Sequence, residues 1–416
     1  MRMPLVLRKD YKDYSGGKMK KTTTDGFFET QSEKSFVKSI IVTEFFKVYF
    51  SIINHAGFSD DIYYIDLFSG PGKYKDGTYS TPLLLLDTVA SFKADDIRNK
   101  LHLIFNDENE EFYQSLCTNI SQHPVVSQLK HPPIIQNLRA SEVNLSQYLS
   151  GKKPKFSFID PWGYIDVSAE QIGELVKSIG SDCVLFFNSN RILQDLSKDY
   201  SQEHMGKIFG DMLPEAVRIQ KDACLSQPTK CKHFVSVFAQ NLYKTYFEPL
   251  KSQGFRLFVL PFSIDQDDVE KTSHHIVFIS KNHKAICEMK KIMVKHSNTN
   301  SSSLGFDSKD TFTISMFSRS DDIESELKTI IIDMFSCAPR LKDSYHTLAE
   351  WLEHIDRFRM SQAYEVTPYT EEELKQCLVK WDANGNGCID IEKPTGKIRS
   401  RITNSRRIKF KDNFGG

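Results

Sequence analysis

An acidic residue and two closely spaced glycines stand in the segment YYIDLFSGPGKYKDG, residues 63–77. Asp66 ends a short apolar run, and Phe68, Gly70 and Gly72 follow it. Glycine has no Cβ and tolerates positive φ, so this turn lets a bound ligand approach the backbone closely. A carboxylate at the end of the run can bind an amine of that ligand directly or through water. The segment therefore predicts a strand followed by a ligand-binding turn, with these four residues as contacts.

A second acidic position follows the next apolar run, LIFND, which ends at Asp107. In doubly wound α/β sheets, an acid near the end of the second strand holds the ribose hydroxyls of a bound nucleoside. Asp107 is the candidate for that contact, and Glu108 is the alternative. Ligands of such sheets lie beyond the carboxyl ends of the strands, where the strand order reverses. Both turns are therefore expected at the same edge of the sheet.

The loop between the glycine turn and the next helix distinguishes between cofactor classes. A dinucleotide requires a glycine-rich turn that leads directly into a helix, because the N-terminus of the helix stabilises the pyrophosphate. The GxGxxG pattern is absent, and the loop at residues 73–78 precedes the helix-like segment TPLLLLDTVASF. S-adenosylmethionine has no phosphate and needs no such helix end, so the turn favours S-adenosylmethionine over NAD. An ordinary strand and turn in a non-binding α/β core is the alternative.

A third group of candidates stands in FSFIDPWGY, residues 156–164. The carboxylate of Asp160 and nearby carbonyl groups can accept hydrogen bonds from a nucleophilic amine, and an aromatic ring can stack on a flat substrate. Asp160, Pro161, Trp162 and Tyr164 are therefore predicted to bind and orient a methyl acceptor. The structural alternative is the start of a helix, in which Asp160 accepts backbone N–H groups.

Strand-like and helix-like segments alternate around these positions. Apolar residues recur every three or four positions from Ser32 to about Ala56, which indicates an amphipathic helix. The alternation that follows predicts a mostly parallel sheet with helices on both faces. Residues 190–250 are interpreted as a helical insertion. The strands in FRLFVLPFS and HHIVFIS are joined by a segment short enough for an antiparallel pair.

The C-terminal part of the chain shows the order of a winged helix. Helices are predicted at about 321–336, 344–358 and 369–380, followed by two short strands. Residues 393–411 carry eight basic residues and no acid. In a wing such residues would lie along a phosphate backbone, and the candidates are Arg399, Arg401, Arg406 and Arg407. A solvated basic tail is the alternative.

Composition limits the class of protein. The chain has 416 residues, a net charge of zero and 40% hydrophobic residues, which predicts a globular protein of more than one domain. Its eight cysteines include no pair with the spacing of a zinc motif, so no metal site is predicted. No segment has the roughly 20 apolar residues of a membrane span. Together these features predict a cytoplasmic protein with no membrane contact. The oligomeric state is left open.

The quoted motifs resemble those of the three-Cys-motif partner proteins (TcmP), a bacterial family. The resemblance depends on YIDLFSGPGKYKDGTYSTPL, FNDENEEFYQSL, FIDPWGY and HHIVFISKNHKAICEMKKIM, and it covers roughly residues 30–410. It implies a Rossmann-like class I methyltransferase sheet at 26–316 and a winged helix at 317–416. It also implies S-adenosylmethionine as cofactor and a separately encoded three-Cys-motif protein as a partner. Residues 1–25 are polar and rich in Lys, which separately predicts a flexible basic segment.

Three positions depart from the family pattern. Leu67, Phe68 and Ser69 stand where members usually carry Gly-Phe-Ala, and the sequence before Pro82 differs from the usual Gly-Ser. After the third strand, where many methyltransferases place an Asp on the adenine amine, NLRASEV offers Ser141 as the candidate contact. The favoured function is methyl transfer to a nucleic acid or a nucleic-acid-linked amine. The alternative is a non-catalytic protein that binds nucleic acid or a partner on a methyltransferase scaffold.

Overall fold

The computed structural model describes residues 31–57, 59–93, 95–149, 153–265, 272–299, 303–307, 319–383, 388–391, 402–403, 406–411 and 414. The predicted N-terminal basic segment and both Arg399 and Arg401 lie outside these residues. None of the helices in the described ranges combines the length and the hydrophobicity that crossing a bilayer requires.

Eight strands form one central sheet. They are β1 Ile62–Asp66, β2 Leu101–Asn106, β3 Ile134–Gln136, β4 Lys155–Ile159, β5 Asp182–Phe187, β6 Phe258–Asp265, β7 Thr272–Ser280 and β8 Gly305–Phe306. Their order in the sheet is β3-β2-β1-β4-β5-β7-β6-β8. Strands β1 to β5 are mutually parallel, whereas β7 runs antiparallel to both β5 and β6. The predicted antiparallel pair of late strands is therefore confirmed.

Helices precede, follow and connect these strands. They are α1 Glu33–Ala56, α2 Thr81–Ala90, α3 Asp95–Lys100, α4 Glu110–Ser121, α5 Ser146–Leu149, α6 Ala169–Lys177, α7 Ser189–Asp195, α8 Gln202–Phe209, α9 Leu213–Lys221, α10 Gln227–Leu242 and α11 His283–His296. Short 3-10 helices lie at Pro124–Gln128, Asp199–Ser201, Gly210–Met212 and Glu248–Gln253, and a π-helical turn lies at Tyr243–Phe247. The described structure confirms that residues 190–250 are largely helical.

The ends of α1 follow from its sequence. Ser32 caps the first turn, because its Oγ accepts the backbone N–H of Ser35 at 3.2 Å. Gly57 ends the helix with a φ of 64°, a conformation that glycine adopts without strain. Between them, the face that includes Phe45 and Phe46 is buried against the sheet. This packing fixes α1 alongside the central strands, and its N-terminal half reaches the carboxyl edge of the sheet.

A second hydrophobic core lies in the C-terminal part. Helices α12 Arg319–Cys337, α13 Leu348–Ala363 and α14 Glu371–Ala383 are followed by β9 Ile389–Ile391 and β10 Ile408–Phe410, which pair antiparallel. A 3-10 helix at Pro339–Asp343 separates α12 from α13. Trp351 is fully buried in this core and donates its Nε1–H to the carbonyl of Ile408 at 3.0 Å. His346 and Ile408 form a further antiparallel bridge beside the ribbon.

A buried charged cluster joins α13 to the sheet domain. Asp356 is fully buried, and its Oδ2 accepts from His283 Nε2 at 2.8 Å and from Lys290 Nζ at 2.6 Å, both on α11. Its Oδ1 accepts the backbone N–H of Thr367 at 2.9 Å. The cluster thus links the C-terminal core to α11, and deleting one partner of such a buried ion pair costs about 3–5 kcal/mol.

Candidate functional site

The carboxyl ends of β1, β4 and β5 meet α1 around a cavity of about 220 Å³. The sheet order reverses between β1 and β4, which is the place where ligands of doubly wound sheets bind. Six residues predicted from the sequence line the cavity: Asp66, Phe68, Gly70, Asp160, Pro161 and Trp162. The volume is below the roughly 300–1,000 Å³ of typical small-molecule sites, so the cavity holds one end of a ligand rather than a whole cofactor.

Asp66 lies at the base of the cavity and is fully buried. Its Oδ1 accepts the backbone N–H of Phe68 at 3.1 Å, and its Oδ2 accepts the hydroxyl of Tyr64 at 3.4 Å. Burial raises the pKa of Asp66 to about 8, and the nearby charges of Asp160 and Asp107 act in the same direction. Asp66 is therefore mostly protonated at neutral pH, and a cationic group placed beside it would favour its ionisation.

The glycine turn after β1 is held by the residues that follow β2. Asp107 Oδ2 accepts the backbone N–H of Gly70 at 2.8 Å, and its Oδ1 accepts that of Asn109 at 2.9 Å. Asn106 is also buried, and its Nδ2 donates to the carbonyls of Leu67 at 3.1 Å and Leu138 at 2.9 Å. The ends of β1, β2 and β3 are thus tied into one rigid edge.

Gly72 stands where a side chain would be strained and tightly packed. Its φ is +79°, and a Cβ at this position would lie 3.1 Å from Leu116 Cδ1. Its carbonyl accepts the backbone N–H of Ser80 at 2.9 Å, which closes the loop in front of α2. Gly72 does not line the cavity, so its role in the described structure is to shape the turn. A direct contact of Gly72 with a cofactor stays a prediction.

The loop at residues 73–79 folds back on itself. The backbone N–H of Tyr74 donates to the carbonyl of Thr78 at 2.8 Å, and that of Gly77 donates to the carbonyl of Tyr74 at 3.0 Å. The side chain of Tyr74 is buried and lines the cavity. The extra loop that separates the glycine turn from α2 therefore supplies an aromatic side chain to the site.

Asp160 also lines the cavity, directly after β4. It forms an ion pair with Lys38 of α1. Pro161 is buried, whereas Trp162 is half exposed at the cavity, with 50% of its surface accessible. A half-exposed indole beside a carboxylate can stack on a flat ring while the carboxylate binds its amine.

Tyr164, Ser141 and Glu108 do not line the cavity. Tyr164 is buried, and its hydroxyl oxygen accepts the backbone N–H of Asn188 at 2.6 Å. This contact fixes the backbone directly after β5. Ser141 donates to Asp166 Oδ1 at 2.7 Å on the exposed surface. Glu108 is exposed next to Asp107, which leaves it accessible to a ribose that extends out of the cavity.

Several residues that line the cavity were not among the contacts predicted from the sequence. Lys38, Phe186 and His274 line the cavity, and His274 stacks on Phe186 with ring centroids 4.7 Å apart. Burial lowers the pKa of His274 to about 3, and the charges of Lys38 and Lys34 contribute, so its imidazole is neutral. The sequence does hold a signal for Lys38. It stands three positions before Ile41 and four before Val42, so the helical pattern places a charged residue on the apolar face of the predicted helix.

Arg406 and Arg407 lie directly before β10. Arg407 is exposed, and its Nη2 donates to the carbonyl of Tyr345 at 2.6 Å. Arg406 is partly buried. At least one of these guanidinium groups therefore contributes to holding the ribbon against the segment before α13.

A second cluster of ionisable groups lies at the opposite edge of the sheet. Asp61 Oδ1 and His102 Nε2 are 2.7 Å apart, and the rings of His102 and His131 stack with centroids 3.9 Å apart. Their ligand atoms lie within 4.8 Å of one another. Stacked imidazoles do not direct their nitrogen atoms at one ion, so a metal would require these rings to reorient.

Comparison with known proteins finds distant structural similarities. No family model and no curated protein matches the chain. A Legionella pneumophila protein of the family model DUF519 is 10% identical, spans 64% of this chain and 92% of its own, and has a TM-score of 0.36. A SAM-dependent methyltransferase from Methanosarcina mazei is 12% identical and spans 55% of this chain and 95% of its own, with a TM-score of 0.26. The methyltransferase domain of bacterial CtHen1 is 9% identical, and the similarity spans 59% of this chain and 98% of that domain, with a TM-score of 0.29. The chain itself is a mixed α/β protein built on a large, mostly parallel central sheet.

Proposed function

We propose that this protein is a SAM-dependent methyltransferase that acts on an amine of a nucleic acid or a nucleic-acid-linked molecule. One observation carries the proposal: Asp66 ends β1, Asp160 follows the adjacent parallel strand β4, and both line the same cavity at the switch point of the sheet. One carboxyl is buried beside a glycine turn, as a cofactor ammonium requires. The other is partly exposed beside an aromatic ring, as an acceptor amine requires.

The strand order and the start of α2 support S-adenosylmethionine over a dinucleotide. An antiparallel seventh strand between the fifth and sixth is typical of class I methyltransferase sheets. Pro82 occupies the second position of α2 and has no N–H to offer a phosphate. Gly70, Asp107 and Glu108 remain the candidates to hold the cofactor along the edge of the sheet, with Asp66 at its amine end.

The bound cofactor would supply a methyl group on a positively charged sulfur. The chain's own residues bind and orient the acceptor: Asp160 accepts a hydrogen bond from its amine, and Trp162 stacks on its ring. An amine that accepted this methyl group would have to lose one proton. Asp160, at the end of β4, is placed to accept that proton or to pass it to water.

We also propose that the C-terminal part is a winged helix that binds nucleic acid. The order of α12, α13, α14, β9 and β10 supports this assignment. The antiparallel bridge between His346 and Ile408 also supports it, because it ties the segment before α13 to the ribbon. Membership of the three-Cys-motif partner family, and the separately encoded partner, are part of the same proposal and depend on the motifs quoted above.

Specific contacts also favour the second candidate, a binding protein on a methyltransferase scaffold. Both oxygens of Asp107 accept backbone N–H groups, and Asp160 is paired with Lys38. Ser141 binds Asp166 outside the cavity. The side chains of Asp107, Asp160 and Ser141 therefore already have partners within the protein, and a cofactor or acceptor would have to share or displace those partners.

Calorimetry of the full chain with S-adenosylmethionine, S-adenosylhomocysteine and NAD tests the cofactor. The proposal is supported if S-adenosylmethionine and S-adenosylhomocysteine bind and NAD does not. It is overturned if neither S-adenosylmethionine nor S-adenosylhomocysteine binds. Incubation with methyl-labelled cofactor and separate pools of DNA and RNA then tests transfer. Cofactor binding with no labelled product from any pool would favour the scaffold.

A further inference from the structure

Lys38 lies on the face of α1 that packs against the sheet. Its side chain is 9% exposed, and Ile41 and Val42, one turn further along the same face, are fully buried. A buried ammonium group is costly unless it is paired, and an aliphatic residue would pack here at no such cost. Lys38 instead points into the cavity, where it pairs with Asp160 and lies 4.4 Å from the ring centroid of Phe186. Lys38 and Asp160 therefore place a buried ion pair inside the cavity, where a bound ligand would meet both charges.

The ion pair engages the carboxylate that the acceptor amine needs. An amine that approaches Asp160 must share it with Lys38 or displace Lys38 from it. A lysine can move because its ammonium sits on a flexible four-carbon stem. A displaced Lys38 would remain buried without its counter-ion, which is strongly unfavourable. A substrate that brings both an amine and an anion avoids this cost, because it exchanges one partner of Lys38 for another.

The charges around the cavity also suit an anion. Lys34 lines it one turn before Lys38, so two ammonium groups project from the same face of α1. The carboxyl groups that line it are Asp66 and Asp160. Burial raises the pKa of Asp66 to about 8, so this carboxyl adds little negative charge to the cavity at neutral pH. His274, which lines the same wall, is neutral.

We propose that Lys38 and Lys34 form a phosphate-binding site for the methyl acceptor, which is therefore an amine of a nucleotide. Asp160 and Lys38 hold each other in the free protein. When the substrate binds, its amine binds Asp160 and its phosphate binds Lys38. Lys34 contacts the phosphate from the outer side. This inference rests on the proposed function and names the substrate class of the same site.

The test compares nucleotides with the nucleosides that lack the phosphate. Binding of AMP and adenosine, and of CMP and cytidine, is measured by calorimetry on the full chain without cofactor. The wild type should bind a monophosphate at least about tenfold more tightly, because charge-assisted contacts to phosphate are among the strongest hydrogen bonds. Lys38→Met should abolish this preference without weakening nucleoside binding, and Lys38→Arg should retain it. Lys47→Met, on the exposed face of the same helix, should change nothing.

Two further measurements keep the result interpretable. If Lys38→Met is unstable because Asp160 is left unpaired, the double variant Lys38→Met/Asp160→Asn removes both charges and should still show no preference for the phosphate. Equal binding of nucleotide and nucleoside by the wild type overturns the inference, as does a preference that survives in Lys38→Met. S-adenosylmethionine binding by the same samples separates the two claims. Cofactor binding without phosphate preference rejects only this site, whereas a Lys38-dependent preference without cofactor binding rejects the methyltransferase and leaves the phosphate site standing.

Discussion

Asp107 Oδ2 accepts the backbone N–H of Gly70 at 2.8 Å, so the acid after β2 fixes the glycine turn after β1. The same carboxylate accepts the N–H of Asn109 at the start of α4. A single buried side chain thus sets the distance between two loops at the carboxyl edge of the sheet. A ribose that binds Asp107 must use the lone pairs that these two contacts leave available.

The first prediction separates the structural role of Asp107 from its role in binding. Asp107→Ala leaves two backbone N–H groups without their acceptor and should lower the free energy of unfolding by about 1–3 kcal/mol. It should also weaken S-adenosylmethionine binding by about 1.5–3 kcal/mol, the range for a hydrogen bond to a charged group. Denaturant unfolding and calorimetry measure the two effects. Glu108→Ala is the control for stability, because its side chain is exposed. Unchanged cofactor affinity in Asp107→Ala would transfer the ribose contact to Glu108.

The second prediction concerns Asp66 and pH. Its folded pKa of about 8 lies above its ordinary value of 3.8, so between these values the folded state keeps a proton that the unfolded state has released. The free energy of unfolding therefore falls as pH rises through that window. Asp66→Asn removes this pH dependence. The Tm of the variant minus the Tm of the wild type should therefore increase from pH 5 to pH 8. A Tm difference that does not depend on pH would show that Asp66 is ionised in the folded state.

The same carboxyl should couple cofactor binding to proton release. An ammonium group is bound by the ionised form of Asp66, so affinity should rise by up to about tenfold per pH unit until the pKa is passed. Calorimetry at pH 7 in buffers of different ionisation enthalpy counts the released proton. Asp66→Asn should bind more weakly and show no release. Proton-independent binding by the wild type would place the ammonium elsewhere.

The sequence predicted the sheet edge because strand ends and turns are encoded locally. Asp66, Gly70 and Asp160 each follow a buried apolar run, and parallel strands bring such ends to one edge. The limits of α1 were also predictable, since a Ser cap and a glycine stop stand at its ends. Helices α12 to α14 lie within a few residues of the predicted segments.

Contacts between distant segments were beyond prediction. The pair of Lys38 and Asp160 joins residues 122 positions apart, and no local pattern encodes that distance. Trp162 and Tyr164 are two residues apart and share a motif, yet one is half exposed at the cavity and the other is buried. The direction of each ring is set by the chain that packs on it, here the end of β5, and not by the motif.

The third prediction assigns Asp160 to the acceptor. Asp160→Asn keeps the shape of the side chain but accepts no proton, so S-adenosylmethionine affinity should stay within about twofold, which is less than 0.5 kcal/mol. Methyl transfer should fall by at least about 100-fold, the lower range for loss of a positioned acid or base. Asp166→Asn, a partly exposed acid outside the cavity, is the matched control and should keep its activity. Loss of cofactor affinity in Asp160→Asn would move this carboxylate to the cofactor side of the site.

The last prediction concerns the basic residues near the ribbon. If they lie on phosphates, each contact releases counterions, and log affinity for duplex DNA falls with log salt by about 0.9 per contact. Three or four contacts are sterically reasonable for this short segment, which gives a slope of about −3. Replacing Arg399, Arg401, Arg406 and Arg407 by Ala should flatten the slope and weaken binding to all sequences alike, because phosphate contacts position a protein without specifying sequence.

Stability must be separated from binding in that variant. Arg407 donates to the carbonyl of Tyr345 at 2.6 Å, so its loss can loosen the ribbon as well as remove a charge. Unfolding is therefore followed in parallel, and Arg407→Lys keeps the charge while altering that contact. Arg218→Ala, an exposed arginine paired with Glu215 in the sheet domain, controls for net charge. S-adenosylmethionine affinity should be the same in all of these proteins, because the cavity lies in the other core. A quadruple variant that binds DNA and RNA with unchanged affinity and salt slope would make the basic segment a solvated tail, and the C-terminal helices would then be tested as a surface for a protein partner.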